Sequence, residues 1–179
     1  MTHNSIILYR VDNSDRLIFV NEEWFRFAED NDASHLASPF IIGKSLWDLI
    51  TDQEVRAIYS AILSRVRQTG KPISFNFRCD APSCRRYMLM TILPVGKGIV
   101  EFQSRILKIE YRKPVRLLLK NVSREETFIV VCSWCKRVKA KEDLWLEVEE
   151  AINMLDLMTK PKLPKISHGI CLDCYKNVI

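Results

Sequence analysis

No stretch of this 179-residue sequence is apolar over the roughly 20 residues that a membrane-spanning helix needs. The first residues, Met1-Thr-His-Asn4, also lack the basic and apolar regions of a secretory signal peptide. These two absences lead us to expect a cytoplasmic protein that does not enter the membrane. In that compartment, paired cysteines bind metals or carry out redox chemistry more often than they form structural disulfides.

Motifs of common enzyme classes are missing as well. The sequence has no Gly-rich phosphate loop, no recognisable Ser, His and Asp order, and no pair of carboxylates at a catalytic spacing. Low-complexity runs and internal repeats are also absent. We therefore name no catalytic residue and expect no enzyme activity.

A strong charge of one sign is missing too. The net charge is +5, spread along the chain, and the region from Ile129 onward has eight Lys and Arg against seven Asp and Glu. A nucleic-acid-binding protein usually concentrates basic residues on one face, so this composition does not favour a nucleic-acid partner. A protein partner or a second copy of the chain is the better expectation.

The strongest chemical signal that is present lies near the end of the chain, as two Cys-x-x-Cys pairs. The first is Cys132-Ser-Trp-Cys135, and the second is Cys171-Leu-Asp-Cys174. A pair at this spacing can bind one metal ion from a tight turn, and two such turns complete a tetrahedral shell that suits structural zinc. The interval between the pairs exceeds the 15–20 residues or so of a simple ribbon. We therefore expect a helix to be inserted between the turns.

Other readings of these cysteines stay open. Free cysteines often occupy cores as small apolar residues, and two disulfides or a thiol switch would use the same spacing. A thiol–disulfide redox protein acting through Cys132 and Cys135, a zinc-ribbon nucleic-acid binder and an iron–sulfur protein are the alternatives to a structural zinc module. Haem attachment is excluded, because Lys136 and Tyr175 stand where that motif needs histidine.

The first two thirds of the chain have the pattern of an α+β domain. Val55, Ile58, Ile62 and Val66 recur at helical spacing, and Gly70 is placed to end that helix. Two strands are predicted before this helix and three after it, in the segments Ile6–Val11, Leu17–Val20, Ile73–Phe77, Arg85–Leu93 and Ile99–Ile109. Short helices are predicted between the second and third strands. An apolar fraction of 47% is enough to build a core.

The remaining sequence predicts a connector and a small cysteine module. Residues 113–127 contain a strand-like segment, Val115–Leu119, and a polar linker. Residues 128–179 begin with a short strand that runs into Cys132, followed by a helix from Leu144 to about Leu155. The predicted organisation is a domain over residues 1–112, a connector over 113–127 and a four-cysteine zinc module over 128–179.

The first domain resembles the PAS sensor fold. The resemblance lies in the order of three segments: Arg16-Leu-Ile-Phe-Val-Asn21, then Glu22-Glu-Trp24, then Ile42-Gly-Lys-Ser-Leu-Trp-Asp-Leu-Ile50. It implies a five-stranded antiparallel sheet with helices on one face, over roughly Ile6 to Ile109. The tail resembles a Cys-x-Trp-Cys-Lys…Ser-His-Gly-Ile-Cys-x-x-Cys segment that follows sensor domains in bacterial signalling proteins. Together these resemblances imply a bacterial sensor or adaptor in signal transduction.

The sequence also departs from well-known members of that fold. The Asn-Cys-Arg-Phe-Leu-Gln stretch of flavin-binding light sensors is absent, and residues 52–69 contain no histidine that could bind haem. No kinase, cyclase or phosphodiesterase motif follows. The resemblance therefore implies a sensor or adaptor without an enzymatic output of its own.

Several aromatic residues could line the space between sheet and helices where PAS domains hold ligands. Simple filling of the core is the alternative role for these side chains. The candidates for contacts with a small-molecule ligand are Trp24, Phe27, Trp47, Phe75, Phe77 and Phe102.

Three further residues have no assigned role in the sequence. Cys79 and Cys84 flank a predicted loop, where they could bind a second metal, form a disulfide on oxidation or remain two unrelated thiols. His168 precedes Cys171 by three residues and could be a ligand, a hydrogen-bond donor to a sulfur or a turn residue. We leave it out of the predicted ligand set.

Overall fold

The computed structural model describes residues 5–31, 33–50 and 52–178. The chain divides into two compact units. The first comprises residues up to Asn76 together with Met88–Lys108, and the second comprises Phe77–Tyr87 together with Ile109–Val178. The predicted domain limits at residues 1 and 179 lie outside the described residues, and the predicted division at residues 112 and 127 stays a prediction.

A five-stranded sheet, in the order β2-β1-β5-β4-β3, is the centre of the N-terminal architecture. β1 pairs antiparallel with both β2 and β5. The elements are β1 Ile6–Val11, β2 Leu17–Val20, α1 Glu22–Asp30, α2 Leu46–Leu49, α3 Gln53–Thr69, β3 Ile73–Arg78, β4 Cys84–Pro94 and β5 Val100–Tyr111, with 3₁₀ turns at Ser34–Leu36 and Pro39–Ile41. The predicted α+β class and five-stranded sheet are confirmed.

Asn21 connects the first helix to the first strand. Its side-chain oxygen accepts hydrogen bonds from the backbone N–H of Trp24, at 3.1 Å, and from that of Leu8, at 3.0 Å. Its amide nitrogen donates to the carbonyl oxygen of Ile6 at 2.7 Å. One side chain therefore caps α1 and fixes the start of that helix beside β1.

The long helix α3 has the predicted buried face. Its N-cap is Asp52, whose side chain accepts from the N–H of Val55, and its C-cap is Gly70 at φ 66°. Glycine adopts this left-handed conformation at little steric cost, which explains why the helix ends there. The buried residues of α3 are Val55, Ile58, Ile62, Leu63 and Val66.

The second unit contains a four-stranded sheet in the order β8-β7-β6-β9. Its elements are a 3₁₀ turn at Arg116–Leu118, β6 Arg124–Cys132, β7 Val138–Lys141, β8 Leu144–Leu146, α4 Val148–Met154, β9 Leu163–Gly169 and α5 Leu172–Val178. β6 pairs with β9 in parallel and with β7 antiparallel. The core of this unit is formed by Val115, Leu117, Ile129, Val131, Val138, Val148, Ala151, Leu157 and Leu163.

The helix between the two cysteine pairs begins later than predicted. Leu144 and Trp145 pair with β7 as part of β8, opposite Lys141 and Lys139 respectively. α4 begins only at Val148, after a capping box formed by Glu147 and Glu150. β9 and α5 were not predicted, and the expected strand-like segment at Val115–Leu119 contains a 3₁₀ turn instead.

Candidate metal centre

The parallel pairing of β6 and β9 brings the two cysteine turns together. Cys132, the last residue of β6, is in register with Gly169, the last residue of β9. Parallel strands run in the same direction, so their C-terminal ends lie at the same edge of the sheet. Cys171 follows Gly169 by two residues and therefore reaches this edge beside Cys132.

The first cysteine turn is closed by backbone hydrogen bonds. The N–H of Lys136 donates to the carbonyl oxygen of Cys132 at 3.0 Å, and the N–H of Cys132 donates to that of Arg137 at 2.8 Å. Lys136 adopts a left-handed conformation, with φ 60°, which turns the chain back after Cys135. The N–H of Ser133 donates to the carbonyl oxygen of Gly169 at 2.8 Å, which attaches this turn to β9.

The second turn uses a helix to present its thiols. Cys171 directly precedes α5, and the N–H of Tyr175 donates to its carbonyl oxygen at 3.0 Å. Cys174 lies three residues farther on, within the first turn of α5. Residues three apart on a helix share one face, so the two thiols point in the same direction.

The four sulfur atoms converge on one position. The Sγ atoms of Cys132, Cys135, Cys171 and Cys174 all lie within 4.8 Å of one another. The Sγ atoms of Cys135 and Cys171 are 3.7 Å apart. Four sulfurs arranged tetrahedrally at about 2.3 Å from a zinc ion would be separated by about 3.8 Å. The arrangement is compatible with a four-thiolate site for a single metal ion.

The environment of the four thiols favours a shared negative charge. Hydrogen bonds from the Cys135 and Cys174 thiols lower the pKa of Cys132 well below the usual range of a thiol. The same interaction with Cys132 raises the pKa of Cys135 to about 12, and it also raises the pKa of Cys174. The thiols of this cluster therefore lose their protons at different pH values. A bound cation would favour the thiolate form of all four.

The centre is closed on its protein side. Cys132 and Cys171 are buried, while Cys135 and Cys174 are half-buried. Trp134 is buried, and its carbonyl oxygen accepts a hydrogen bond of 2.7 Å from the backbone N–H of Arg78 at the end of β3. A closed shell without an open coordination position is typical of structural metal sites.

A basic side chain that the sequence analysis did not single out lies beside the first turn. The Lys136 ammonium donates to the carbonyl oxygen of Ser133 at 2.8 Å. Burial lowers the pKa of Lys136, although the nearby Cys79, Asp80 and Cys132 oppose that shift. A half-buried ammonium at this point favours thiolate character in the cluster.

A buried ion-pair network lies in the same unit. Arg78 donates to both carboxylate oxygens of Glu147, at 2.9 and 2.8 Å, and to Asp80 at 2.5 Å. Arg112 contacts Asp80 at 3.3 Å and Glu149 at 3.1 Å. Burial disfavours the charged form of Arg78, but the hydrogen bonds to Asp80 and Glu147 raise its pKa. The network joins the loop after β3 to the start of α4.

The remaining cysteines and His168 are outside the cluster. Cys79 and Cys84 have free thiols, and the two residues lie on either side of a tight turn in which Ala81 pairs with Cys84. His168 lies on β9, opposite Val131, with an exposed side chain. It is not a member of the four-cysteine group.

Three of the six predicted ligand-contacting aromatics are connected through ring contacts with two tyrosines, Tyr9 and Tyr59. The sequence analysis did not include these tyrosines in the predicted set. Tyr9 stacks on Phe102 at 4.5 Å between ring centroids and meets Trp24 edge-on at 5.1 Å. Tyr59 lies 6.3 Å from Phe102 and 6.4 Å from Phe75. Trp24, Phe102 and Phe75 therefore belong to one continuous series of aromatic contacts.

Each of the other three members of the predicted set has its own position in the fold. Trp47 donates its indole N–H to Asp15 at 3.1 Å, Phe27 lies half-buried on α1, and Phe77 belongs to the second unit. A cavity of about 250 Å³ in the first unit is lined by Ile6, Leu89, Thr91, Gln103 and Arg105. None of the six predicted residues lines that cavity. Their proposed contact with a ligand stays a prediction.

Comparisons with known proteins give only distant structural similarity. No protein-family model matches the sequence, and no curated protein matches it. A sensory box sensor histidine kinase from Vibrio cholerae is 13% identical, with a TM-score of 0.46 over 60% of this chain and 86% of that chain. A domain of an HTR-like protein from Haloarcula marismortui ATCC 43049 is 14% identical, with a TM-score of 0.42 over 57% of this chain and 98% of that chain. Similarity this weak supports no conclusion about function.

Within residues 5–31, 33–50 and 52–178, no helix has the length and apolarity needed to cross a bilayer.

Proposed function

We propose that this chain is a non-enzymatic sensor or adaptor of bacterial signal transduction, in which a PAS-like unit is joined to a zinc-binding module. The observation that carries the proposal is the convergence of Cys132, Cys135, Cys171 and Cys174 within 4.8 Å. Zinc is the proposed metal because the donor set is four thiolates and the shell is closed. The bound ion would hold β6, β9 and α5 together in a unit whose own core is small.

The PAS-like assignment of the first unit is supported by its element order. The hairpin β1–β2, the Asn-capped helix α1, the short helix α2 and the long helix α3 follow one another as the resemblance implies. The proposed ligand-contacting residues remain those of the predicted set, Trp24, Phe27, Trp47, Phe75, Phe77 and Phe102, of which Phe77 belongs to the second unit. The ligand would be a small molecule held by aromatic contacts.

The proposed mechanism is conformational. β3, β4 and β5 each begin in one unit and end in the other, so the two units are connected by three continuous strands. A ligand that shifts these strands in the first unit would alter the segment around Arg78, which is hydrogen-bonded to the first cysteine turn. The output would be a change in the surface offered to a protein partner or to a second copy of the chain.

Oxidation of the centre is a second proposed input. A peroxide would convert two zinc-bound thiolates to one disulfide, take up two protons and be reduced to water. The lost ligands would release the zinc ion, and the second unit would loosen because metal binding and folding are coupled. In this account the zinc site is both structural and redox-responsive.

Three measurements on the zinc-loaded chain test the proposal against its rivals. The rate of hydrogen exchange in the second unit should increase after treatment with a chelator or a peroxide. It should fall back to its original level after reduction and zinc addition. Catalytic turnover in a disulfide-reduction assay, lost in Cys135→Ser, would favour the thiol–disulfide redox protein. Tight binding of DNA or RNA with a steep salt dependence would favour the nucleic-acid binder.

A further inference from the structure

The second unit contains a cavity that neither the metal centre nor the proposed aromatic site uses. Its volume is about 360 Å³, which is at the lower end of the range of small-molecule sites. The connector before β6 forms one wall, and α4 with the segment after it forms the other. All of its lining residues belong to the second unit.

The walls of this cavity are mainly apolar. Pro114, Leu117, Ile152, Leu157, Met158 and Leu163 line it. The side chain of Met158 is 70% exposed although it lines the cavity. An unbranched, polarizable methionine adapts its shape to different apolar ligands.

The segment after α4 is held in place by Arg116. One terminal nitrogen of its guanidinium donates to the carbonyl oxygen of Lys160, and the other donates to that of Pro161, each at 2.9 Å. These two bonds connect the wall that follows α4 to the connector. The cavity is therefore shaped by specific contacts and is not a gap beside a loose loop.

The charges at the rim favour an anionic group on the ligand. The one acidic lining residue, Glu149, is neutralised by Arg85 at 2.6 Å and by Arg112 at 3.1 Å. Lys113 and Arg116 also line the cavity, and within the described part of the chain Lys113 forms no ion pair. The exposed Lys113 ammonium is therefore available to a ligand.

We propose that this cavity binds a small apolar molecule that carries a single anionic group, of the class of medium-chain or aromatic carboxylates. The apolar body would contact Leu117, Ile152 and Leu157, and the carboxylate would pair with Lys113. This site is separate from the four cysteines and from the aromatic series of the first unit. The second unit would then bind a small-molecule ligand of its own.

The proposal can be tested by titrating the 179-residue, zinc-loaded chain with hexanoate, octanoate and decanoate below their micelle concentrations. Saturable binding is expected, with affinity rising about three- to fourfold for each added methylene. Methyl signals of Ile152 and Leu157 should shift in NMR spectra. Absence of saturable binding, or shifts confined to the neighbourhood of Trp24 and Phe102, would overturn the proposal.

Charge reversal at the rim tests the role of Lys113. Lys113→Glu should weaken octanoate binding about tenfold or more and leave the binding of neutral 1-octanol nearly unchanged. Lys141→Glu is the matched control, because Lys141 is an exposed lysine on β7 that does not line the cavity. Equal losses in the two variants would mean that only the overall charge matters and would contradict the assignment. Self-association that is abolished by Met158→Glu would instead identify the occupant as a second copy of the chain.

Discussion

The backbone N–H of Cys171 donates a hydrogen bond to the sulfur of Cys132, with 3.4 Å between nitrogen and sulfur. The contact follows from the parallel register of β6 and β9, which places Cys132 opposite Gly169. A hydrogen bond from a backbone amide favours the thiolate form of the sulfur that accepts it. The sheet therefore supplies both the position and part of the electrostatic environment of the candidate metal centre.

Removal of one ligand should empty the centre. Cys171→Ser leaves three thiolates, so we expect the zinc content to fall from one ion per chain toward zero and hydrogen exchange to rise in the second unit. The backbone amides of α3 in the first unit should keep their protection from hydrogen exchange. Cys79→Ser is the control, since Cys79 lies outside the four-cysteine group, and full zinc loss in that variant would contradict the assigned ligand set.

The buried ion pair at Arg78 should be important for the stability of the second unit. The side chains of Arg78 and Asp80 are only 8% and 5% exposed. Arg78→Leu would leave Asp80 and Glu147 with fewer partners, so we expect a loss of about 3–5 kcal/mol in the free energy of unfolding.

The matched control for this change is Arg137→Leu. Arg137 contacts the same Glu147 at 3.5 Å, but its side chain is 45% exposed. An exposed pair of this kind contributes about 1 kcal/mol or less. Similar losses in the two variants, measured by urea unfolding, would show that burial does not determine the strength of these pairs.

The long helix offers a test of the first unit. Ile62 is 3% exposed on the buried face of α3, so Ile62→Asp would bury an unpaired charge and should unfold this unit. Ala61→Asp introduces the same charge at the neighbouring exposed position and should leave the unit folded. Circular dichroism and thermal unfolding would distinguish the two, and a native-like Ile62→Asp protein would contradict the assigned face.

The raised pKa values of Tyr9 and Tyr59 predict that the first unit loses stability at high pH. Burial raises the pKa of Tyr59 to about 12, and burial together with Tyr59 raises the pKa of Tyr9. An unfolded tyrosine ionises near pH 10, so above that pH the unfolded chain binds fewer protons than the folded chain. The contribution of these two protonated tyrosines to the free energy of unfolding is therefore complete below about pH 10. It is lost as the pH rises through about 12, the pKa of Tyr59 in the folded chain.

Urea unfolding between pH 9 and about 12 would measure this dependence. Tyr59→Phe should flatten it, whereas Tyr111→Phe, at a side chain that is 83% exposed, should not. A stability that is independent of pH over this interval, in a chain that stays folded, would mean that the two rings ionise as easily in the folded state as in the unfolded state.

The sequence predicted the parts of the fold that depend on local pattern. The periodicity around Ile62 predicted α3, because it depends on residues within a few positions of each other. The five strands of the first sheet were predicted for the same reason. Leu144 was misassigned to a helix because its apolar neighbours fit a helical face as well as they fit the short hairpin β7–β8.

Long-range pairing could not be predicted in the same way. Cys-x-x-Cys spacing predicted the four cysteines that the structure brings within 4.8 Å of one another. The parallel strand β9, which places Gly169 opposite Cys132, was hidden by two prolines, Pro161 and Pro164. The ion pair between Arg78 and Glu147 joins residues 69 positions apart, and charged residues alone give no signal for such a pairing. Tyr9 and Tyr59 were missed because their hydroxyl groups make them less apolar than the Trp and Phe residues of the predicted set.

The most direct test of the account is the metal content and coordination of the purified, reduced 179-residue chain. Elemental analysis should find one zinc per chain, and X-ray absorption at the zinc edge should show four sulfur ligands at about 2.3 Å. Cys132, Cys135, Cys171 and Cys174 should be protected from alkylation until a chelator is added, while Cys79 and Cys84 should not depend on the metal. A chain in which each pair forms a disulfide, or in which iron replaces zinc as part of a cluster, would contradict the zinc assignment.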